Sequence, residues 1–333
     1  MLLRSCRTLV AVGALLAAVG LTACGGAISS PAGLATQTPQ PSALPTPTPV
    51  GLETPTAGKI YLGAYAFATK SAATDVQVLE AQIGRKLAMD MHYDAWTGTF
   101  PGPLDASDIL AGRLPVDSWN CQLSSAQIVA GAGDPLIKTR ALALKSFGHP
   151  VFVRYLWDMN LAAGVLRRGP CYDAATDNPD GTFSATEFVL AWQHIRQIFT
   201  QEGVNNVVWV WNVAATGVAP APYYPGDAYV DWVGIDAYDT AGVGFGATIA
   251  PIYALAAVYH KPILIGETGA TPFDQAAFLQ AAVPALQTQF PLVDGLVYYD
   301  AVSPFADLTL SSPGIIEFAA LGSQPYVSAF ASL

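Results

Sequence analysis

HPVFVRYLWDMN, residues 149–160, begins as an apolar run and ends in polar chemistry. Val151, Phe152 and Val153 are residues of a buried strand, and Arg154, Asp158 and Asn160 follow within seven positions. A strand that ends this way places its end at a site, or else it strands charge in a core. The form recurs along the chain: KIYLGAYAF (59–67), LAMDMHYDAW (87–96), LPVDSW (114–119), NVVWVWNVA (206–214), VDWVGIDAY (230–238), PILIGETG (262–269) and GLVYYDAV (295–302) also read as strands, beside PVFVRYLW (150–157). Near-continuous apolar runs of this kind are expected of parallel strands covered on both faces.

Amphipathic patterns separate these runs, among them TDVQVLEAQIG, PLIKTRALALKSF, ATEFVLAWQHIRQIFTQEG and TIAPIYALAAVYH. Only a turn-rich segment, ATGVAPAPYYPGDAYV, follows the fifth strand. Eight strands alternating with helices imply an α/β chain folded as a single (β/α)₈ TIM barrel over residues 58–333. A doubly wound open sheet is the alternative, but YLGAYAF runs on into ATKSAATD without the glycine-rich turn usual there.

A barrel holds its chemistry where strands end. The residues expected there are Asp94 and Trp96, Asp117 and Trp119, Asp158 and Asn160, Trp211 and Asn212, Asp236, Tyr238 and Asp239, Glu267, and Tyr299 with Asp300. Carboxylates and aromatic rings suit sugars, since rings stack on pyranose faces and carboxylates bond hydroxyls or act on the glycosidic bond. Trp96, Trp119, Asn160, Trp211, Asp236 and Tyr299 are therefore the expected substrate contacts. The four histidines are scattered without ligand spacing, so no catalytic metal and no other cofactor is expected.

The ends of the chain bound where it works. Arg4 and Arg7 precede the short apolar run LVAVGALLAAVGL, which closes in LTAC at Cys24. This has the length of a signal peptide rather than of a membrane span, and its close resembles a lipobox with lipidation at Cys24. Residues 25–57, centred on PQPSALPTPTPV, are too poor in bulky apolar residues to pack and are expected to form a tether. The reading is an extracytoplasmic, membrane-anchored lipoprotein, monomeric, with a polysaccharide as its partner. The net charge of −10, with no basic cluster, argues against nucleic acid. Of four cysteines, Cys6 leaves with the signal and Cys24 takes the lipid, so Cys121 and Cys171 are expected to pair in an oxidising compartment.

HPVFVRYLWDMN, AWQHIRQIFTQEGVNNVVWVWNVA, YYPGDAYVDWVGIDAYD and KPILIGETGA together resemble glycoside hydrolase family 26, the β-mannanases of a retaining clan. The resemblance covers nearly all of the domain and implies double displacement. Glu267 matches the nucleophile, Tyr238 and Arg154 match the residues that orient it and support its charge, and Asp158 occupies the acid/base position. At strand four the family runs Arg, two residues, His, Glu, Met, Asn, Gly, whereas this chain has Trp157 for the histidine, Asp158 for the glutamate and Leu161 for the glycine. Aspartate withdraws the carboxyl by about 1.3–1.5 Å. Two functions follow: a secreted hydrolase of β-1,4-mannan or a related β-linked polysaccharide, or a carbohydrate-binding pseudoenzyme with impaired acid catalysis.

Overall fold

The computed structural model describes residues 54–67, 72–303 and 306–329. The expected signal and the expected tether up to residue 53, Cys24 included, lie outside the described residues. Eight parallel strands close on themselves: β1 (Ile60–Ala66), β2 (Met89–Asp94), β3 (Leu114–Trp119), β4 (Val151–Tyr155), β5 (Val207–Ala214), β6 (Trp232–Asp239), β7 (Ile263–Ala270) and β8 (Val293–Asp300). Each pairs with the next, and β1 pairs with both β8 and β2. A two-residue strand, β9 (Val327–Ser328), adds to the start of β1 through Ile60.

The helices are α1 (Ala72–Ile83), α2 (Pro103–Ala111), α3 (Ser125–Val129), α4 (Asp134–Phe147), α5 (Ala185–Gln201), α6 (Phe245–Ala257), α7 (Gln275–Thr288) and α8 (Ser312–Gly322). Their ends follow local chemistry. Ser184 caps α5 by accepting from the Glu187 N–H, and α4 carries Pro135 in its first turn and stops at Gly148 with φ 72°. Among the described residues no helix is long and apolar enough to cross a membrane. No helix follows β5, as its turn-rich sequence implies. Two short 3₁₀ turns stand there, and Tyr224 and Tyr259 cover Trp211 with ring centroids at 5.1 and 5.3 Å.

The strands' period of two sorts their side chains into two cores. Met89, Met91, Leu114, Val116, Phe152, Val208, Val210, Trp232, Leu264 and Val297 fill the barrel, while Trp119, Trp209, Trp211, Val233 and Ile263 pack with the helices outside it. Cys121 and Cys171 form a disulfide that ties the loop after β3 to the long loop after β4.

Candidate active site

The inward-facing residues near the strand ends form the site. Arg154, fully buried on β4, is its hub. Its Nε and Nη2 donate to Ser118 Oγ at 3.0 and 2.7 Å, and Nη1 donates to Asn212 Oδ1 at 3.1 Å and to the Asp236 carboxylate at 3.3 Å. Nη2 also donates to Glu267 Oε1 at 2.6 Å. Burial opposes the guanidinium charge, but Asp236 and Glu267 more than offset it and hold Arg154 firmly protonated.

Glu267, 3% exposed, accepts two further bonds: Tyr93 Oη donates to Oε1 at 2.6 Å, and Tyr238 Oη donates to Oε2. Burial, with the Glu267 charge adding to it, raises the pKa of both tyrosines well above the usual phenol value, so they remain neutral donors. Three donors from three strands thus fix both oxygens of one carboxylate. Such a carboxylate is held in one orientation, as a nucleophile must be.

A backbone irregularity turns Glu267 inward. Ile235 pairs with Ile265, but Asp236 pairs with Glu267, so Gly266 is an extra residue in β7. Without it Glu267 would share the outward parity of Ile263 and Ile265. Glycine is needed at that point, because a Cβ there would meet Asn212 Oδ1 at 2.4 Å and Arg154 Nη1 at 2.6 Å.

Asp158 lies just beyond β4, 4% exposed. Leu156 and Asp158 both adopt left-handed backbone, with φ 45° and 57°, an uncommon and costly state for non-glycine residues. The Asp158 N–H donates to Asn212 O at 2.9 Å, which pins this turn to β5. Burial pushes the Asp158 carboxyl up to about 7 and the Glu267 charge adds to it, while Arg168, Arg154 and a hydrogen bond with Asp236 work against the rise. Oδ1 of Asp158 is buried without a partner. A carboxyl that holds its proton near neutrality beside a fixed carboxylate is the pairing that acid-assisted displacement requires.

Two hollows meet at these groups. A cleft of about 560 Å³ is lined by Tyr93, Trp157, Asp158, Tyr238, Glu267 and Tyr299, with Gly164–Arg167 as one wall. A smaller one of about 270 Å³ shares Asp158 and Tyr238 and is walled by Leu161, Ala214, Ala215, Ala237, Ala241 and Val243. Rings crowd the first: Tyr65 lies 5.0 Å from Tyr299 and 4.8 Å from Tyr93, and Trp157 lies 4.9 Å from Tyr93.

The structure brings Glu267, Asp158, Tyr238, Arg154, Asp236 and Tyr299 together. It removes four expected substrate contacts. Trp119 and Trp211 point away from the barrel interior and are 0% and 1% exposed, and Trp96 stacks on Trp119 at 4.8 Å, itself 5% exposed. None of these rings has a free face. Asn160 donates to the Ala214 and Val218 carbonyls and accepts from the Ala214 N–H, so it clamps the exit of β5. Asp94 and Asp117 also leave the site, since they share the parity of Trp119 and interact with Asp105 of α2.

Four residues of the site were not anticipated: Tyr93, Ser118, Trp157 as cleft lining and Arg168. Strict alternation finds the first two, because Tyr93 and Ser118 are the inward neighbours of Asp94 and Trp119. His92 joins a buried network on the helix side. Its Nε2 lies 2.7 Å from Asp108 and within 4.8 Å of Asp90, and Arg113 donates to Asp108 at 2.8 Å and to Glu80 at 3.0 Å. Arg113 and a protonated His92 balance these carboxylates.

The family model of glycosyl hydrolase family 26 matches residues 191–260. Endoglucanase H of Acetivibrio thermocellus is 25% identical over 255 residues, 72% of this chain and 27% of that protein. Mannan endo-1,4-beta-mannosidase of Bacillus subtilis is 29% identical over 117 residues, 34% of this chain and 30% of that protein. The chain thus spans less than a third of either relative. A family 26 β-mannanase from Bacteroides ovatus superposes with a TM-score of 0.59 at 14% identity, covering 82% of this chain and 90% of that one, which shows the shared barrel. By sequence over residues 191–260, by its relatives and by its barrel, this chain is similar to glycosyl hydrolase family 26.

Proposed function

We propose that the chain is an exported, lipid-anchored glycoside hydrolase that cleaves β-1,4-mannan or a related β-linked polysaccharide by double displacement. The observation that carries this is the triple anchoring of Glu267 by Tyr93, Tyr238 and Arg154 in a ring-lined cleft that also contains Asp158. Glu267 attacks the anomeric carbon while the Asp158 carboxyl protonates the leaving oxygen; the Asp158 carboxylate then takes a proton from the water that displaces Glu267. The sugar under attack occupies the cleft that contains Glu267, and the leaving side faces the smaller hollow beyond Asp158. The names of the relatives, an endoglucanase and a mannan endo-mannosidase, support a β-linked polysaccharide.

A second reading, a carbohydrate-binding pseudoenzyme, draws on the shorter Asp158 and its left-handed backbone. Incubation of the purified protein with mannan, mixed-linkage glucan and xylan, followed by reducing-end release, separates the two. Release from at least one supports the hydrolase. Binding without release from any of them leaves the pseudoenzyme standing.

A further inference from the structure

Arg168 is a buried cation to which the double-displacement scheme above assigns no task. It is 2% exposed, and among the described residues it belongs to no ion pair and its Nε and Nη2 have no hydrogen-bond partner. Stranded guanidinium donors are costly, so an arginine placed this way calls for a compensating role. Its backbone leaves it little freedom: the N–H donates to Ala163 O at 2.7 Å, and the carbonyl accepts from the N–H of Cys171, which is tied to Cys121. The guanidinium carbon lies 4.3 Å over the ring of Trp157, the residue next to Asp158. The flat face of Trp157 is the shelf on which Arg168 rests.

The charged groups around Asp158 are Glu267 on β7, Asp236 on β6, Arg154 on β4 and Arg168 in the loop after β4. Arg154 is committed to Ser118, Asn212, Asp236 and Glu267. Arg168 is the uncommitted cation, and the largest favourable charge acting on it is that of Asp158. Asp158 in turn keeps a buried Oδ1 without a partner.

We propose that Arg168, stacked on Trp157, is the positioning residue of the acid half of the site and supplies the counter-charge for the Asp158 carboxylate formed when the proton is given up. This rests on the hydrolase reading and deepens it. In the first step the proton passes from Asp158 to the glycosidic oxygen, the bond to the leaving sugar breaks and Glu267 bonds the anomeric carbon. Asp158 is then an anion in a buried place, and Arg168 stabilises it until water returns the proton.

The test reads Asp158 directly. The full chain with carboxyl-¹³C aspartate is titrated by NMR as wild type, Arg168→Met and Arg168→Lys, with Asp158→Asn to assign the resonance. The wild-type midpoint is expected near 7. Arg168→Met should raise it by at least about one unit, a tenfold loss of acidity, and Arg168→Lys should bring it back toward wild type. If the methionine variant does not fold, Arg168→Gln carries the same expectation. An unmoved midpoint in the folded neutral variant, or a rise in KM with no change in titration, overturns the proposal. The titration needs no turnover, so a protein that cleaves nothing defeats the hydrolase reading while still reporting on Arg168.

Discussion

Gly266→Ala places a methyl group at the most crowded point of the site. The new Cβ would stand 2.4 Å from Asn212 Oδ1, 2.6 Å from Arg154 Nη1 and 2.8 Å from Asp236 Oδ1. Restoring an ordinary contact of 3.4 Å moves the first of these by about 1 Å. None of the three is a loose end. Asn212 Oδ1 and Asp236 both accept from Arg154, and Arg154 is fully buried and bonded to Glu267. The displacement therefore passes to the Glu267 carboxylate. Overpacking alone costs about 1–3 kcal/mol, and strained charge-assisted bonds add to it, so a total near 3 kcal/mol is expected. For a domain of this size that lowers the melting temperature by roughly 6–12 °C, read by circular dichroism. A carboxylate misplaced by about 1 Å should also reduce kcat/KM on mannan by about 100-fold. A variant that melts within about 1 °C of wild type and keeps more than half its activity would refute the account of the bulge.

Three further outcomes follow from the same contacts. In the proposed double displacement the Asp158 carboxyl must be protonated for the first step, so kcat/KM should fall as pH rises through about 7, and Asp158→Asn should remove that limb while sparing aryl glycosides with good leaving groups more than mannan. Burial works against a charged His92, but its bond to Asp108 and the charges of Asp90 and Asp108 raise its pKa from 6.5 to about 9. The folded state therefore holds this proton more tightly than the unfolded state. That contribution to stability is complete below pH 6.5 and is lost as pH rises through 9, so melting temperatures should decline over this window and His92→Gln should flatten the slope. Cys121→Ser opens a loop with a sequence separation of 50 residues. Chain-entropy arithmetic puts the loss of stability at about 4 kcal/mol, measurable by urea unfolding.

Glu267 and Asp158 were legible in the sequence because each breaks an apolar run at a strand end. The same logic fails for Trp96, Trp119 and Trp211, which the barrel turns away from the cleft. Position along a strand says how close a residue lies to the mouth of a barrel, whereas the side it faces depends on parity. Trp119 and Trp211 are near the mouth but on the helix side, where α4, α5 and the Tyr224–Tyr259 pair bury them. Parity also nominates Tyr93 and Ser118, two small steps from residues that had drawn notice for their charge or size.

The linear order of residues already implies the barrel, since eight apolar runs separated by helical patterns allow few other closed arrangements. It also points to Glu267 and Asp158 as candidate site residues and to the pairing of Cys121 with Cys171. Packing between distant segments sets which rings line the cleft and how Glu267 comes to face inward. The first depends on what covers each outward ring, and the second on one extra residue at Gly266 that shifts the pleat between β6 and β7. Both are set by contacts between segments remote in the chain, and a period read along one strand has no access to its neighbour's register. The place of Arg168 over Trp157 is of the same kind: a loop held by a disulfide brings a cation to an acid that the linear order leaves ten residues away.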